Sequence, residues 1–205
     1  MLIDILIILH ATLGGIALLS GLIPLMSQKG SKAHKEYGKV FYYSMLAAAL
    51  VGVIITVLPK HESPFLFTVG IFSSYLVLSG RRALRFKKEK PSIIDQIISI
   101  GMLLTGIGMI TFPLIVWGGI NIVLTVFGLL GISLAITDFR VFKNSEKLKK
   151  GWLKMHIGKI TGGYIAATTA FVVVNNTFLP SLVAWLAPGV LGSIYIVYWT
   201  TKMKA

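Results

Sequence analysis

Residues 2–26, LIDILIILHATLGGIALLSGLIPLM, decide the fold, because apart from Asp4 and His10 this stretch carries only apolar or small uncharged side chains. A helix that crosses a membrane needs about 20 predominantly apolar residues, since the hydrocarbon core of a bilayer is about 30 Å thick. A cleaved signal peptide would begin with basic residues, whereas this stretch begins with an acid. We therefore interpret residues 2–26 as a retained transmembrane helix.

Six further charge-poor stretches follow, so the sequence predicts an all-α membrane protein with seven transmembrane helices in one domain, residues 1–205. The predicted helices are Leu2–Met26, Val40–Leu58, Phe65–Gly80, Ile93–Phe112, Ile120–Thr137, Ile157–Val174 and Leu182–Thr200. Pro113 and the Trp117-Gly118-Gly119 turn are expected to separate the fourth helix from the fifth. Charged residues make up only 13% of the chain, whereas soluble domains carry roughly 25%. The composition therefore leaves no room for a soluble domain.

The basic residues outnumber the acidic ones by 20 to 7, giving a formal net charge of +13. In a soluble protein this excess would suggest nucleic-acid binding. In a seven-span chain, however, all basic residues except Lys60 fall on one side of the membrane. These residues are Lys29, Lys32, Lys35, Lys39, Arg81, Arg82, Arg85, Lys87, Lys88, Lys90, Arg140, Lys143, Lys147, Lys149, Lys150, Lys154, Lys159, Lys202 and Lys204. The positive-inside rule then predicts an outside N-terminus and a cytoplasmic C-terminus, with the lipid bilayer and no nucleic acid as partner.

A spacing of histidine and tyrosine residues recurs in the two halves of the chain. The recurring residues are His34, Tyr42 and Tyr75 in the first half and His156, Tyr164 and Tyr195 in the second. This pattern predicts parallel repeats over residues 1–90 and 114–205, with 91–113 as a linker helix, a design known from transporters. The alternative is a chance recurrence of residue types that are common in membrane helices.

The chain has no cysteine, which excludes disulfides, thiolate nucleophiles, cysteine-ligated zinc, iron–sulfur clusters and c-type haem attachment. Four histidines remain as soft ligands or near-neutral bases: His10, His34, His61 and His156. His10 lies inside the first span, where it is either functional or a neutral imidazole hydrogen-bonded to a neighbouring carbonyl. His61 lies in the outer loop, where a solvated side chain is the more common role.

Several polar side chains, including those of Asp138 and Lys159, are predicted at the cytoplasmic ends of neighbouring spans, where they could converge on one cytoplasm-facing cavity. The candidate ligand-binding residues are His10, His34, Tyr42, Tyr75, Arg81, Arg82, Asp95, His156 and Tyr164. In the leading interpretation the protein binds or transports a small molecule or ion. Arg81 or Arg82 would hold an anionic group, while His34 and His156 would donate hydrogen bonds or move protons. The alternative is that lysines meet lipid headgroups and helix-end acids meet water.

Two other functions fit the same residues. Histidine pairs, His10 with His61 and His34 with His156, could hold two b-type haems on opposite leaflets, as in a haem or quinone redox carrier. A lipid-modifying metalloenzyme at the cytoplasmic interface is the third hypothesis, although three ligands at one depth are not evident. The sequence assigns no catalytic residue, no definite cofactor and no oligomeric state.

A set of short motifs resembles one family across nearly the whole chain. The motifs are His10-x3-Gly14, Lys29-Gly30-x3-His34-x3-Gly38, Tyr43-x-Met45, Tyr75-x4-Gly80-Arg81-Arg82-Ala83, Asp95 and His156-x7-Tyr164-Ile165-Ala166-Ala167. They are similar to those of the prokaryotic membrane proteins of the domain-of-unknown-function 2306 family. The resemblance implies a multi-pass protein of the bacterial cytoplasmic membrane and supplies no activity. His61 is not part of the family pattern, which weakens the two-haem scheme.

Overall fold

The computed structural model describes residues 2–202 and forms a helical bundle. The α-helices are α1 (Leu2–Met26), α2 (Lys32–Ile55), α3 (Pro64–Arg82), α4 (Ile93–Val116), α5 (Ile122–Phe142), α6 (Ser145–Val174) and α7 (Ser181–Lys202). A short 3₁₀ helix, Ala83–Lys87, follows α3. The prediction of an all-α fold is confirmed over the described residues.

Six of these helices, all except α3, are long and apolar enough to cross a membrane. The shorter α3 packs against α2, α4 and α6, and seven of its 19 residues are buried. A helix enclosed by other helices meets little lipid, so it can carry more polar residues than its neighbours. In contrast, α1 and α7 lie at the periphery and expose many large apolar side chains.

Charged residues extend two of the helices beyond the predicted spans. Helix α2 begins at Lys32 and α6 begins at Ser145, well before the apolar runs that were expected to start them. Each start is fixed by a local hydrogen bond: the Ser31 hydroxyl accepts from the His34 N–H at 3.2 Å. The Asn144 side chain likewise accepts from the Lys147 N–H at 3.0 Å. These N-caps stabilise helical turns whose sequence is too polar for a membrane interior.

The fourth helix does not end at Pro113, so this part of the prediction is wrong. Helix α4 continues through Pro113 to Val116. Pro113 has no N–H and so removes one helical hydrogen bond, a loss that membrane helices tolerate because neighbouring groups can satisfy the freed carbonyl. The chain turns instead after Trp117, at Gly118, whose φ of 67° favours glycine.

Short connections make successive helices alternate in direction, so the basic residues gather at one end of the bundle. We call this the basic end; it contains the C-termini of α1, α3, α5 and α7 and the N-termini of α2, α4 and α6. Two residues of the predicted basic set differ from the others. Lys159 lies inside the bundle and is buried, and Lys204 lies outside the described residues.

The helices pack most closely in the sequential pairs α1 with α2, α4 with α5, and α6 with α7. Glycines permit the closest of these crossings: a Cβ on Gly106 would lie 2.9 Å from the Gly128 carbonyl oxygen, and one on Gly128 would lie 2.7 Å from the Gly106 oxygen. Small residues let helix backbones approach in this way. Gly106 and Gly128 therefore bring the backbones of α4 and α5 into direct contact.

The α5 helix contacts α6 and α7 at few positions, which leaves a cleft between them. The predicted repeat would make α5 and α6 the counterparts of α1 and α2. The α1–α2 pair is packed along much of its length, whereas the α5–α6 pair is not. The repeat stays a prediction, and the cleft is the feature that distinguishes the second half.

The close α4–α5 crossing predicts that one added methyl group lowers stability at Gly106 but not at an open position on the same helix. Gly106→Ala forces two backbones apart, so we expect a loss of about 1–3 kcal/mol in the free energy of unfolding. Thermal unfolding in detergent micelles measures this loss. Gly108→Ala is the matched control on the same helix, because a Cβ at Gly108 would meet nothing within 4 Å. Equal stability of the two variants would show that the crossing is looser than described.

Candidate functional site

A buried ion pair lies near the basic end of the bundle. The Lys159 ammonium donates to both oxygens of the Asp138 carboxylate, at 2.6 Å to Oδ1 and 2.5 Å to Oδ2. The two side chains are only 5% and 2% exposed. Charged side chains at such depth in a membrane protein are costly, and they commonly mark pathways for substrates or ions.

Two hydroxyl groups complete the surroundings of this pair. The Tyr75 hydroxyl accepts from Lys159 at 2.9 Å and donates to Asp138 Oδ2 at 2.7 Å. The Ser99 hydroxyl donates to the same oxygen at 2.9 Å. We call Tyr75, Ser99, Asp138 and Lys159 the charge cluster; it joins α3, α4, α5 and α6. Its charges are therefore both paired and hydrogen-bonded, as a stable buried ion pair requires.

A close contact between α3 and α6 positions Lys159. A Cβ on Gly80 of α3 would lie 2.9 Å from the Ile160 backbone nitrogen and 3.0 Å from the Lys159 Cβ. A Cβ on Gly163 would lie 2.6 Å from the Val77 side chain. Because these two glycines bring α6 against α3, the Lys159 side chain is directed across the bundle toward α5.

The charge cluster forms part of the wall of a cavity. The cleft between α5, α6 and α7 contains a cavity of about 810 Å³, with Asp138 and Lys159 among its lining residues. This volume lies within the range of about 300–1,000 Å³ that is typical of small-molecule sites. At the end away from the basic residues, the rings of Phe72, Phe127 and Trp185 stand against one another, with centroids 5.3 and 6.3 Å apart.

The predicted residues Arg82 and Asp95 form a second ion pair at the basic end. The Arg82 guanidinium donates to Asp95 at 2.6 Å through Nε and at 3.0 Å through Nη2. Asp95 also accepts from the backbone N–H and the hydroxyl of Ser92, at 2.7 and 2.8 Å. Asp95 therefore stabilises the start of α4 through Ser92 and connects α4 to α3 through Arg82. Arg82 is committed to this contact, which leaves Arg81 as the arginine of this pair that could hold an anion.

Three of the four histidines bond to a backbone carbonyl on another helix. The ring Nδ1 atoms of His10, His34 and His156 lie 2.8, 3.1 and 2.8 Å from carbonyl oxygens. The acceptors belong to Ala48, Pro24 and Gly80, respectively. Because a carbonyl only accepts, a neutral ring carries its proton on Nδ1 and leaves Nε2 as an acceptor.

This arrangement has two interpretations. It is the arrangement of a neutral imidazole hydrogen-bonded to a carbonyl, which the sequence allowed for His10. It is also the orientation that metal-binding histidines adopt, with Nε2 toward the metal. Both a packing role and a ligand role fit this geometry, and the haem hypothesis stays a prediction. Among residues 2–202, no three histidine or carboxylate side chains come together in a group suited to a metal ion.

The remaining predicted residues are distributed over several parts of the bundle. His34 and Arg81 lie close enough to His156 to act on its charge, and the exposed Arg81 guanidinium is 6.0 Å from the centre of the Tyr42 ring. Tyr164 packs against Phe41, with ring centroids 5.9 Å apart. His10 lies in the other half of the bundle, and His61 is exposed in the loop after α2. The predicted set is thus divided, and of its members only Tyr75 belongs to the charge cluster.

A lysine that was expected to face lipid headgroups instead joins α1 to α7. The Lys29 ammonium donates to the carbonyl oxygens of Pro24 and Leu25, at 2.7 and 2.8 Å, and to the Tyr195 hydroxyl at 2.9 Å. It also lies 4.5 Å from the centre of the Trp199 ring. Partial burial lowers the pKa of Lys29. This contact fixes the basic end of α7, one wall of the cavity.

Sequence reasoning placed Asp138 and Lys159 at the cytoplasmic ends of their spans but missed the ion pair between them and the role of Ser99. Asp138 was treated as a helix-end acid, although the apolar residues Phe139, Val141 and Phe142 follow it. Lys159 was counted with the basic loop residues, although it falls within the predicted span that starts at Ile157. An acid and a base that both lie inside apolar helices are expected to pair, and this signal was present in the sequence.

No family model, curated protein or solved structure matches this chain. The resemblance to the domain-of-unknown-function 2306 family therefore stays a prediction, and the function must be argued from the geometry of the site.

The charge cluster predicts a non-additive response to substitution. Lys159→Met leaves the Asp138 carboxylate buried without its counter-charge, and Asp138→Leu does the same to the Lys159 ammonium. We expect each single variant to lose about 3–5 kcal/mol of unfolding free energy. The double variant removes both charges and should be more stable than either single variant. Unfolding by denaturant in mixed micelles measures all four proteins. Losses that simply add would show that the two charges do not depend on each other.

Proposed function

We propose that this chain spans the membrane seven times and binds or transports a membrane-soluble small molecule in the cavity between α5, α6 and α7. The observation that carries the proposal is the buried ion pair of Asp138 and Lys159 in the wall of that cavity. The proposed site is therefore centred on the charge cluster rather than on the residues predicted from the sequence. Apart from His10, the residues of both sets lie in the half of the bundle near the basic end.

The proposed topology includes α3 as the seventh span. Its 19 residues would extend over about 28 Å at 1.5 Å per residue, close to the hydrocarbon thickness of about 30 Å. Its neighbours α2 and α4 are both candidate spans, and α3 connects them. The excess of lysine and arginine at the basic end supports a cytoplasmic location for that end.

The ion pair supports a functional role because it is a costly way to hold helices together. Well-packed apolar residues of similar volume often stabilise a protein as well as a buried ion pair does. A pair that also borders a cavity can interact with a bound molecule or with a proton, which apolar residues cannot do. The Tyr75 hydroxyl contacts both charges, so it can remain bonded to either one if a ligand alters the distance between them.

The cavity has a route of entry from the membrane. Its lining residues Leu130 and Val190 are 51% and 63% exposed. Leu130 belongs to α5 and Val190 to α7, on the two sides of the cleft. In a bilayer this opening faces the hydrocarbon chains, so an apolar molecule can enter sideways without crossing water.

The topology predicts which loops are accessible from outside the cell. Because the chain contains no cysteine, a single introduced cysteine reports its own location. Lys60→Cys should react with a membrane-impermeant maleimide in intact cells. Lys88→Cys should react only after the membrane is permeabilised. The opposite labelling pattern would show that the orientation is inverted. Equal labelling of both cysteines in intact cells would show that α3 does not cross the membrane between them.

If the cavity is the binding site, one larger side chain that fills it should block binding. Gly189 lines the cavity, and a Cβ on it would meet nothing within 4 Å. Gly189→Leu should therefore fold normally and occupy the space. The probe is a neutral long-chain alcohol that carries a photoreactive diazirine, used in proteoliposomes with mass-spectrometric mapping of the labelled residues. We expect labelling of α5, α6 and α7 at cavity residues, and loss of most of it in Gly189→Leu.

Gly108→Leu is the matched control, because Gly108 has the same open surroundings but lies outside the cavity. It should label like the unmodified protein. Labelling spread evenly over the outer surfaces of α1 and α7, without enrichment in the cavity, would contradict the proposed function.

A further inference from the structure

We propose that the occupant of this cavity is a long-chain amphiphile with an anionic headgroup, held with the headgroup at the basic end and the chain along α5. The proposal rests on the proposed function, because it names the class of molecule bound at the same site.

The cavity is long in the direction of the helix axes. Its lining residues on α5 run from Val126 to Val141 along one face of the helix, a distance of about 22 Å at 1.5 Å per residue. On α6 they run from Lys147 to Thr169. A cavity that is long and mostly apolar fits an extended hydrocarbon chain better than a compact molecule.

The charges on the lining residues are unequal. Three lysines line the cavity, Lys147, Lys154 and Lys159, whereas Asp138 is the one acidic lining residue. Lys159 and Asp138 neutralise each other. In the part of the chain that the structure describes, the ammonium groups of Lys147 and Lys154 have no hydrogen-bond or ion-pair partner. These two lysines lie on the N-terminal part of α6, at the basic end, so the mouth of the cavity attracts an anionic group.

The other end of the cavity is closed by aromatic side chains. Phe72, Phe127 and Trp185 line it, and Phe65 stands against Trp185 with ring centroids 4.9 Å apart. An apolar chain can end against these rings, whereas a charged group there would be desolvated without a counter-charge. The cavity therefore has a polarity that fixes the direction of a bound amphiphile.

The walls between the two ends offer few free polar groups. The hydroxyls of Thr137, Thr169 and Ser193 each donate to a carbonyl of their own helix, at 2.7–2.8 Å. Asp138 and Lys159 neutralise each other, so together they present no net charge to the cavity. A hydrocarbon chain can pass these groups without breaking a hydrogen bond, whereas a sugar or a nucleotide would find few partners.

The test compares three photoreactive probes that share one chain length and differ only in the terminal group: a carboxylate, an alcohol and an amine. Each is added to proteoliposomes of phosphatidylcholine, and cavity labelling is measured by mass spectrometry. We expect the carboxylate probe to label more strongly than the alcohol and the amine to label least. Substituting both Lys147→Gln and Lys154→Gln should weaken carboxylate labelling by about tenfold, the effect of two partly exposed ion pairs, and so remove the preference for the carboxylate probe over the alcohol.

The matched control carries Lys149→Gln and Lys150→Gln, which remove the same charge from exposed α6 residues outside the cavity. It should keep the preference for the carboxylate probe. Competition by added phosphatidylglycerol would identify an anionic membrane lipid as the source of the headgroup, and lack of competition would identify a free single-chain acid; both results support the inference. Equal labelling by the three probes would overturn the inference while the proposed function stands. Absence of cavity labelling by any probe would overturn both.

Discussion

The ion pair between Lys159 and Asp138 is the interaction on which the arrangement of α3 to α6 depends. Separating these charges inside a bundle surrounded by lipid would leave each one without a counter-charge, at a cost of several kcal/mol. The α6 helix therefore cannot rotate or slide far without losing stability. Tyr75 and Ser99 extend this constraint to α3 and α4, because both hydroxyls bond to the same carboxylate oxygen.

The orientation of α6 also explains why a cavity exists. Residues three, four or seven positions apart share one face of a helix, so Gly151, Gly158 and Gly162 share one face of α6, and Lys159 lies beside it, three positions before Gly162; all four residues line the cavity. Glycines supply no side chain to fill the space toward α5. The Gly106–Gly128 crossing holds α5 against α4, while α7 stays with α6. The gap between these two groups of helices is thus a consequence of where the small residues are placed.

The helices could be predicted from the sequence better than the site could. Apolar length and the one-sided distribution of basic residues predict the helices and their order, and α1 has the predicted bounds. The early starts of α2 and α6 were not predicted, because they depend on side-chain caps at Ser31 and Asn144 rather than on hydrophobicity. The charge cluster was missed for a different reason: sequence position indicates the depth of a residue in the membrane, but not which neighbouring helix it faces.

The Arg82–Asp95 and Lys159–Asp138 ion pairs are suited to different roles because they differ in their access to water. Arg82 is 17% exposed and its partner Asp95 caps α4, so this pair stabilises a helix start at the membrane surface. Lys159 and Asp138 are shielded, and their attraction is stronger in the low dielectric of the interior. A headgroup gains little by approaching a pair that already neutralises itself. If an anionic amphiphile binds as proposed, selectivity for its charge comes from Lys147 and Lys154, while the buried pair keeps the cavity wall in place.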